Sequence, residues 1–184
     1  RHIPFDDADA ILGRPMGIPK TGVFGLYDLI GIDLMSDVVS SMRQILSEQD
    51  DFQKVGTDPD LITSLIKTGY TGQKGLGGFY AENPSGRQVR EVSANDNSDI
   101  KWRDINSLPE IAEKAAKAQS EQEEALLVLV QDNSKYGEFA RSVLAHIFCY
   151  AGQLLGTITT NPQDIDDAMK LGFNWQRGPF EMID

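Results

Sequence analysis

At 184 residues with 40% hydrophobic side chains, the chain can build a packed core as one ordinary domain or two small ones. A formal net charge of −11 and the lack of any basic stripe argue against a nucleic-acid partner. No apolar run reaches the roughly 18 residues that a membrane span needs, and one cysteine excludes an intramolecular disulfide framework.

The first predicted element is a short helix over Pro4 to Leu12, with Asp6, Asp7 and Asp9 in its first turns, where carboxylates meet the positive end of the helix dipole. Pro15, Gly17 and Pro19 make residues 13–21 an irregular loop. One long helix should follow, because Phe24, Tyr27, Leu34, Val38, Met42 and Leu46 recur at helical spacing. Gly25 and Gly31 fall inside it, each costing about 1 kcal/mol against Ala. Close packing or the approach of a ligand is one reason for glycine there; simple tolerance is the other.

A second helix is expected over Asp60 to Lys67, leading into the glycine-rich run Gly69 to Tyr80. Lys74 lacks the Gly before it and the Ser or Thr after it that a phosphate loop requires, and Tyr80 stands where a dinucleotide fingerprint needs glycine. The run reads as a tight turn pinned to a core by Phe79 and Tyr80. Phe79 to Val92, broken at Asn83-Pro84-Ser85-Gly86, reads as a small hairpin. Residues 93–108 turn polar and read as a linker with Trp102 as its anchor. Past Pro109 the pattern is helical, extending or restarting over Gln119 to Gln131. The strongest helix is predicted over Lys135 to Gly156, with Cys149 buried in its apolar pattern and His146 beside that face. A last short helix runs from Gln163 to Leu171.

Two stretches repeat. Gly22-Val23-Phe24-Gly25-Leu26-Tyr27-Asp28 and Gly178-Pro179-Phe180-Glu181-Met182-Ile183-Asp184 share glycine, phenylalanine and aspartate at the same offsets. Asp7-Ala8-Asp9 precedes the first and Asp164-Ile165-Asp166 the second, at separations of 13 and 12 residues from Asp9 and Asp166 to the glycine. Such a spacing implies a duplicated module. The second copy breaks off at Asp184, so the chain reads as a piece of a longer protein. The aspartate pairs suit helix capping better than acid–base chemistry. No Ser or Cys has an evident His partner and no metal-ligand spacing occurs, so no catalytic and no metal residue is assigned.

The motifs Asp7-x-Asp9-Ala10, Gly13-Arg14-Pro15-Met16-Gly17-x-Pro19-Lys20-Thr21, Phe24-x-Leu26-x-Asp28 and Gly31-x-Asp33 closely resemble the helical C-terminal domain of 3-hydroxyacyl-CoA dehydrogenases. The closing Gly-Phe-Tyr of Gly78 to Tyr80 fits the same pattern. Asp164-Ile165-Asp166-Asp167-Ala168-Met169 and Gly178-Pro179-Phe180-Glu181 resemble the second copy found in multifunctional fatty-acid oxidation enzymes.

The resemblance implies a mainly α fold of two tandem helical domains of the 6-phosphogluconate-dehydrogenase C-terminal type, with a small β-hairpin. The expected division is 1–92 for the first domain, 93–108 for a linker and 109–184 for a second copy cut off at its end. It implies a parent enzyme of bacterial cytoplasm, or of an organellar matrix, that oxidises a 3-hydroxyacyl-CoA with NAD. NAD and the catalytic His-Glu pair would be held by a separate NAD-binding domain, so no cofactor-binding residue is expected here. An enoyl-CoA hydratase domain is a further expected neighbour, with pairing as a homo-oligomer or an intramolecular pseudo-dimer. This chain would supply part of the acyl-CoA cleft wall, for which Pro15, Met16, Phe24 and Leu26 are the candidates. Lys20 and Lys74 are the cations near those motifs; Val23 in place of the family's proline and the altered order at Lys74-Gly75-Leu76-Gly77 depart from the pattern. The rival reading is a non-catalytic helical dimerisation module on the same fold.

Overall fold

The computed structural model describes residues 3–57, 59–84, 86–91, 101–105, 107–120 and 124–184. In chain order the elements are α1 (Phe5–Ile11), a single 3-10 turn (Arg14–Met16), α2 (Gly22–Ile30), α3 (Ile32–Ile45), α4 (Phe52–Val55) and α5 (Asp60–Lys67). Then come β1 (Tyr80–Asn83), β2 (Gly86–Arg90), β3 (Trp102–Asp104), α6 (Glu110–Ser120), α7 (Ala125–Gln131), α8 (Lys135–Leu154) and α9 (Pro162–Phe173). The fold is mainly helical with one small antiparallel sheet, as the sequence implied.

The backbone packs as two compact units, one of Val23–Ser107 with the residues up to Asp6, the other of Asp7–Gly22 with Leu108–Asp184. The first unit is built on aromatic packing. Phe5, Phe24 and Phe79 form a triangle with ring centroids 4.7 to 4.8 Å apart. Ile32, Ile62, Leu65, Tyr80 and Val89 complete the core around them. Burying a side chain of this size is worth about 1.5–3 kcal/mol, and tilted aromatic pairs add about 0.5–1.5 kcal/mol.

The single long helix expected over Phe24 to Leu46 is two helices. Gly31 adopts φ 113°, outside helical space, so α2 ends at Ile30 and α3 starts at Ile32. The freed Ile32 N–H donates to Thr71 O at 3.2 Å, tying the break to the glycine-rich run. A Cβ at Gly31 would lie 2.7 Å from Lys74 Nζ, so glycine serves both conformation and packing there.

The hairpin stands where the sequence placed it, with Tyr80 opposite Val89 and Asn83 opposite Gly86; Val92 and Ser85 lie outside the described residues. A third strand was not expected. Trp102, assigned to a linker, opens β3 and pairs with Arg90, giving the order β1-β2-β3. Residues 93–100 and 106 of that linker also lie outside the described residues. On β3, Arg103 grips the buried Asp6 with both carboxylate oxygens engaged, at 2.6 and 3.0 Å.

The second unit packs small residues against one another. Ile111, Ala112, Ala115 and Ala118 are buried along α6, which lies against α7 and the 3-10 turn. Helix α8 is capped by Ser134, whose hydroxyl accepts from Tyr136 N–H. Its buried line is Gly137, Ala140, Leu144 and Ala151. Cys149 is off that line and exposed, which corrects the expectation that it is buried. The apolar pattern of α8 is wider than the stripe the unit covers. Helix α9 starts at Pro162 after the cap residue Asn161, and ends at Asn174 in the left-handed region with φ 56°.

Candidate functional site

In the first unit the glycine-rich run wraps a single buried carboxylate. Asp28, near the end of α2, accepts from Phe79 N–H at 2.9 Å and from Tyr80 N–H at 2.7 Å. Its backbone carbonyl accepts from Gln73 N–H at 2.9 Å. A Cβ on Gly78 would stand 2.0 Å from Asp28 Oδ1, and one on Gly72 would stand 2.4 Å from Asp28 O. These two glycines are the close approach that the sequence signalled without naming its object.

Behind them sits Arg90, only 8% exposed, donating through Nε to Gly78 O at 3.0 Å. Its guanidinium faces the rings of Tyr70 and Trp102 at 4.7 and 5.0 Å. Burial pulls its pKa down, opposed by Tyr70 and Asp28. Lys74 pairs with Asp33 at 2.6 Å, and that hydrogen bond holds the Asp33 carboxyl below its ordinary value.

A cleft of about 460 Å³ opens beside the run, flanked by Gln73, Tyr80, Glu82 and Arg87. Arg87 stacks on Tyr80 at 3.9 Å and lies 3.6 Å from Glu82. The N–H groups of Gly72, Gln73, Gly75, Leu76, Gly78, Phe79 and Tyr80 are all engaged inside the protein. A dinucleotide or phosphate needs such groups turned outward. The described residues of this run do not fit NAD.

The repeated aspartates of the second unit do related work. Asp166, on α9 and 2% exposed, accepts from Phe180 N–H at 2.8 Å and Glu181 N–H at 3.1 Å. It caps the turn that carries the second motif, not its own helix; Asn161 caps α9. Gly178 is pressed against it, a Cβ there falling 2.2 Å from Asp166 Oδ1. In the first copy a Cβ on Gly22 would fall 2.5 Å from Asp9 Oδ1, so the aspartate–glycine contact is duplicated with the sequence. Lys170 bridges Asp167 at 3.1 Å and Glu181 at 2.5 Å, while Glu181 also accepts from Gly178 N–H.

Asp7 accepts from the Tyr136 hydroxyl at 2.7 Å, and Asp164 from Thr159 and Asn161 at 2.6 and 3.0 Å. These carboxylates are held as hydrogen-bond acceptors. His146 is exposed with Nδ1 2.6 Å from Ser142 O; His2 lies outside the described residues. Among the described residues no group of His, Cys, Asp or Glu is arranged to hold a metal.

Pro15 and Met16 come together in the second unit, on the 3-10 turn, both buried and both lining a pocket of about 90 Å³. Gln119, Gln176 and Met182 line it too, with a Glu124–Arg177 pair bonded through two contacts of 2.8 Å. That pairing lowers the Glu124 pKa and raises that of Arg177. Phe24 and Leu26 belong to the first unit. Phe24 is in the aromatic triangle, and Leu26 is exposed on α2. Lys20 is exposed.

Sequence reasoning missed Asp28 as the anchor, Arg90 as its neighbour and the Gln119–Gln176 pair. The fixed offset of Asp28 in the repeated motif was the one usable signal. Nothing local marks Arg90 in a strand, or Gln119, as special.

The sequence pattern described as the 3-hydroxyacyl-CoA dehydrogenase C-terminal domain matches residues 2–82 and 137–184. A protein of Rickettsia prowazekii named as a fatty acid oxidation complex trifunctional enzyme is 34% identical over 184 residues, all of this chain and 24% of that protein. A Rickettsia felis protein of the same name is 34% identical over 189 aligned positions, again 24% of its length. A Bacillus subtilis protein named as a 3-hydroxyacyl-CoA dehydrogenase is 28% identical over 179 residues, 97% of this chain and 22% of that protein. The chain thus spans about a quarter of the length of these curated relatives. No solved structure gives a significant match.

Proposed function

Since the chain belongs to the family of 3-hydroxyacyl-CoA dehydrogenase C-terminal domains, we propose that it is the helical part of a multifunctional, NAD-dependent 3-hydroxyacyl-CoA dehydrogenase of fatty-acid β-oxidation. In this reading it carries one helical domain in 1–92, a linker in 93–108 and the start of a second copy in 109–184. The observation that carries the reading is duplication. The family pattern fits two separate stretches, and each contains an aspartate pressed onto the motif glycine.

The chemistry is assigned elsewhere. In this reading NAD and the proton-accepting group belong to a neighbouring NAD-binding domain. Alone, this chain does not turn over substrate. Its contribution is to the wall of the acyl-CoA cleft, through Pro15, Met16, Phe24 and Leu26, and to pairing between helical domains, within one chain or between subunits. An enoyl-CoA hydratase domain would be a further neighbour in a bacterial cytoplasm or an organellar matrix.

A second reading, a dimerisation module without catalysis, is favoured by one feature. Leu26, Leu29 and Ile30 of α2 and Leu34, Val38, Met42 and Ile45 of α3 leave much apolar surface exposed. The test is turnover by the full-length protein. Oxidation of 3-hydroxybutyryl-CoA with NAD, with none by this chain alone, supports the first reading; no turnover by the full-length protein, with stable self-association, transfers support to the second.

A further inference from the structure

The repeated motif sets a phenylalanine and an aspartate four residues apart in each copy, Phe24 and Asp28 in the first, Phe180 and Asp184 in the second. Residues four apart share one face of a helix. In the first copy that face holds a backbone turn. The Phe79 ring meets Phe24 edge to face with centroids 4.8 Å apart, and the N–H groups of Phe79 and Tyr80 both donate to Asp28. A Cβ on Gly78 would stand 2.0 Å from Asp28 Oδ1, so the turn needs glycine before its two aromatic residues. Asp28 lies two residues from the end of α2, where the helix dipole disfavours a carboxylate. The donors it collects, and not its own helix, account for an aspartate there.

The second copy repeats the footing of this joint. Gly178 presses on Asp166 as Gly22 presses on Asp9. Asp166 satisfies the N–H groups of Phe180 and Glu181 at the start of the turn. Met182 N–H then donates to Gly178 O at 3.1 Å, the four-residue step of an α-helix, and the matching glycine of the first copy opens α2. Continued at that pitch, the turn sets Asp184 on the same side as Phe180.

Resting on the tandem-copy reading above, we propose that Phe180 and Asp184 form the receiving face for a second glycine–aromatic turn of the Gly78–Tyr80 kind. The turn is supplied by the rest of the second copy in the full-length protein. Asp184 accepts two consecutive backbone N–H groups, and Phe180 meets the first aromatic ring.

The test is amide hydrogen exchange on the full-length protein, resolved to single residues by mass spectrometry, for the parent and for Asp184→Ala, Asp184→Asn and Asp28→Ala. The parent is expected to show two consecutive slow amides at a glycine–aromatic turn C-terminal to Asp184. Asp184→Ala should speed both by roughly tenfold to a hundredfold, the loss of one acceptor for each buried donor, and leave the Phe79 and Tyr80 amides unchanged. Asp28→Ala should do the reverse. Where Asp184→Ala loosens the whole second copy, Asp184→Asn decides, since it keeps one carbonyl oxygen and should release one of the two amides. Unchanged exchange in Asp184→Asn and Asp184→Ala overturns the proposal, and faster exchange confined to another domain overturns it in favour of a contact with that domain. If the joint fails in a protein that does carry a glycine–aromatic turn after Asp184, the tandem-copy reading survives; a full-length protein without such a turn defeats that reading itself.

Discussion

Asp28 shows how one side chain organises a segment fifty residues away. Two buried N–H groups, of Phe79 and Tyr80, depend on its two oxygens. Removing the carboxylate leaves both donors unsatisfied, at about 1–3 kcal/mol for each. Asp28→Ala should therefore lower the stability of the chain by about 2–5 kcal/mol in urea unfolding, and Asp28→Asn by less, since one carbonyl oxygen remains to accept. An Asp28→Ala protein within 0.5 kcal/mol of the parent, a margin typical of ordinary surface substitutions, would show that the run is held by Phe79 and its neighbours instead. The glycines were legible in the sequence because their spacing has no other common cause. Their object was not, because Asp28 lies in a helical pattern that any polar residue satisfies, and only the packing of Gly72 and Gly78 on it marks its role.

Between elements, Lys170 joins α9 to the turn of the second motif. Its bonds to Glu181 and Asp167 raise its own pKa and lower those of both carboxyls, the Lys170 hydrogen bond leading for Glu181 and the Gln163 hydrogen bond leading for Asp167. A carboxyl with a depressed folded-state pKa adds stability above its unfolded value and loses it as the pH falls through the folded one. For Glu181 the loss runs downward from about pH 4.5, its ordinary value. Lys170→Met should accordingly lower Tm near neutral pH and flatten the fall in Tm below pH 4.5, as followed by calorimetry. Curves that stay parallel across that range would mean the lysine does not couple to Glu181. At this scale the sequence read well wherever periodicity was long. The α5, α8 and α9 patterns placed those helices within a few residues. It failed at Gly31, where a helical pattern continues across a break that backbone conformation imposes, and at β3, whose three residues are too few for alternation and take their strand form from pairing with β2.

For the whole molecule, the exposed face of α2 and α3 sets a condition on any partner. Leu34, Val38, Met42 and Ile45 are 48, 42, 39 and 81% exposed and recur along one side of α3, a stripe that gains stability only when covered. Pairing between copies of the chain must bring together net charges of −11, a repulsion that salt screens over about 8–10 Å at ordinary ionic strength. If the face pairs helical domains, self-association of the chain should strengthen as salt rises from low to physiological concentration, the reverse of an interface built on ion pairs. Val38→Glu combined with Met42→Glu should abolish that association while leaving Tm within a few degrees, because both side chains are exposed in the single chain. Sedimentation velocity at two salt concentrations, on the parent and the double variant, measures both effects. Association that weakens with salt, or that survives the double substitution, would place the pairing surface elsewhere, and the apolar stripe would then need a different cover.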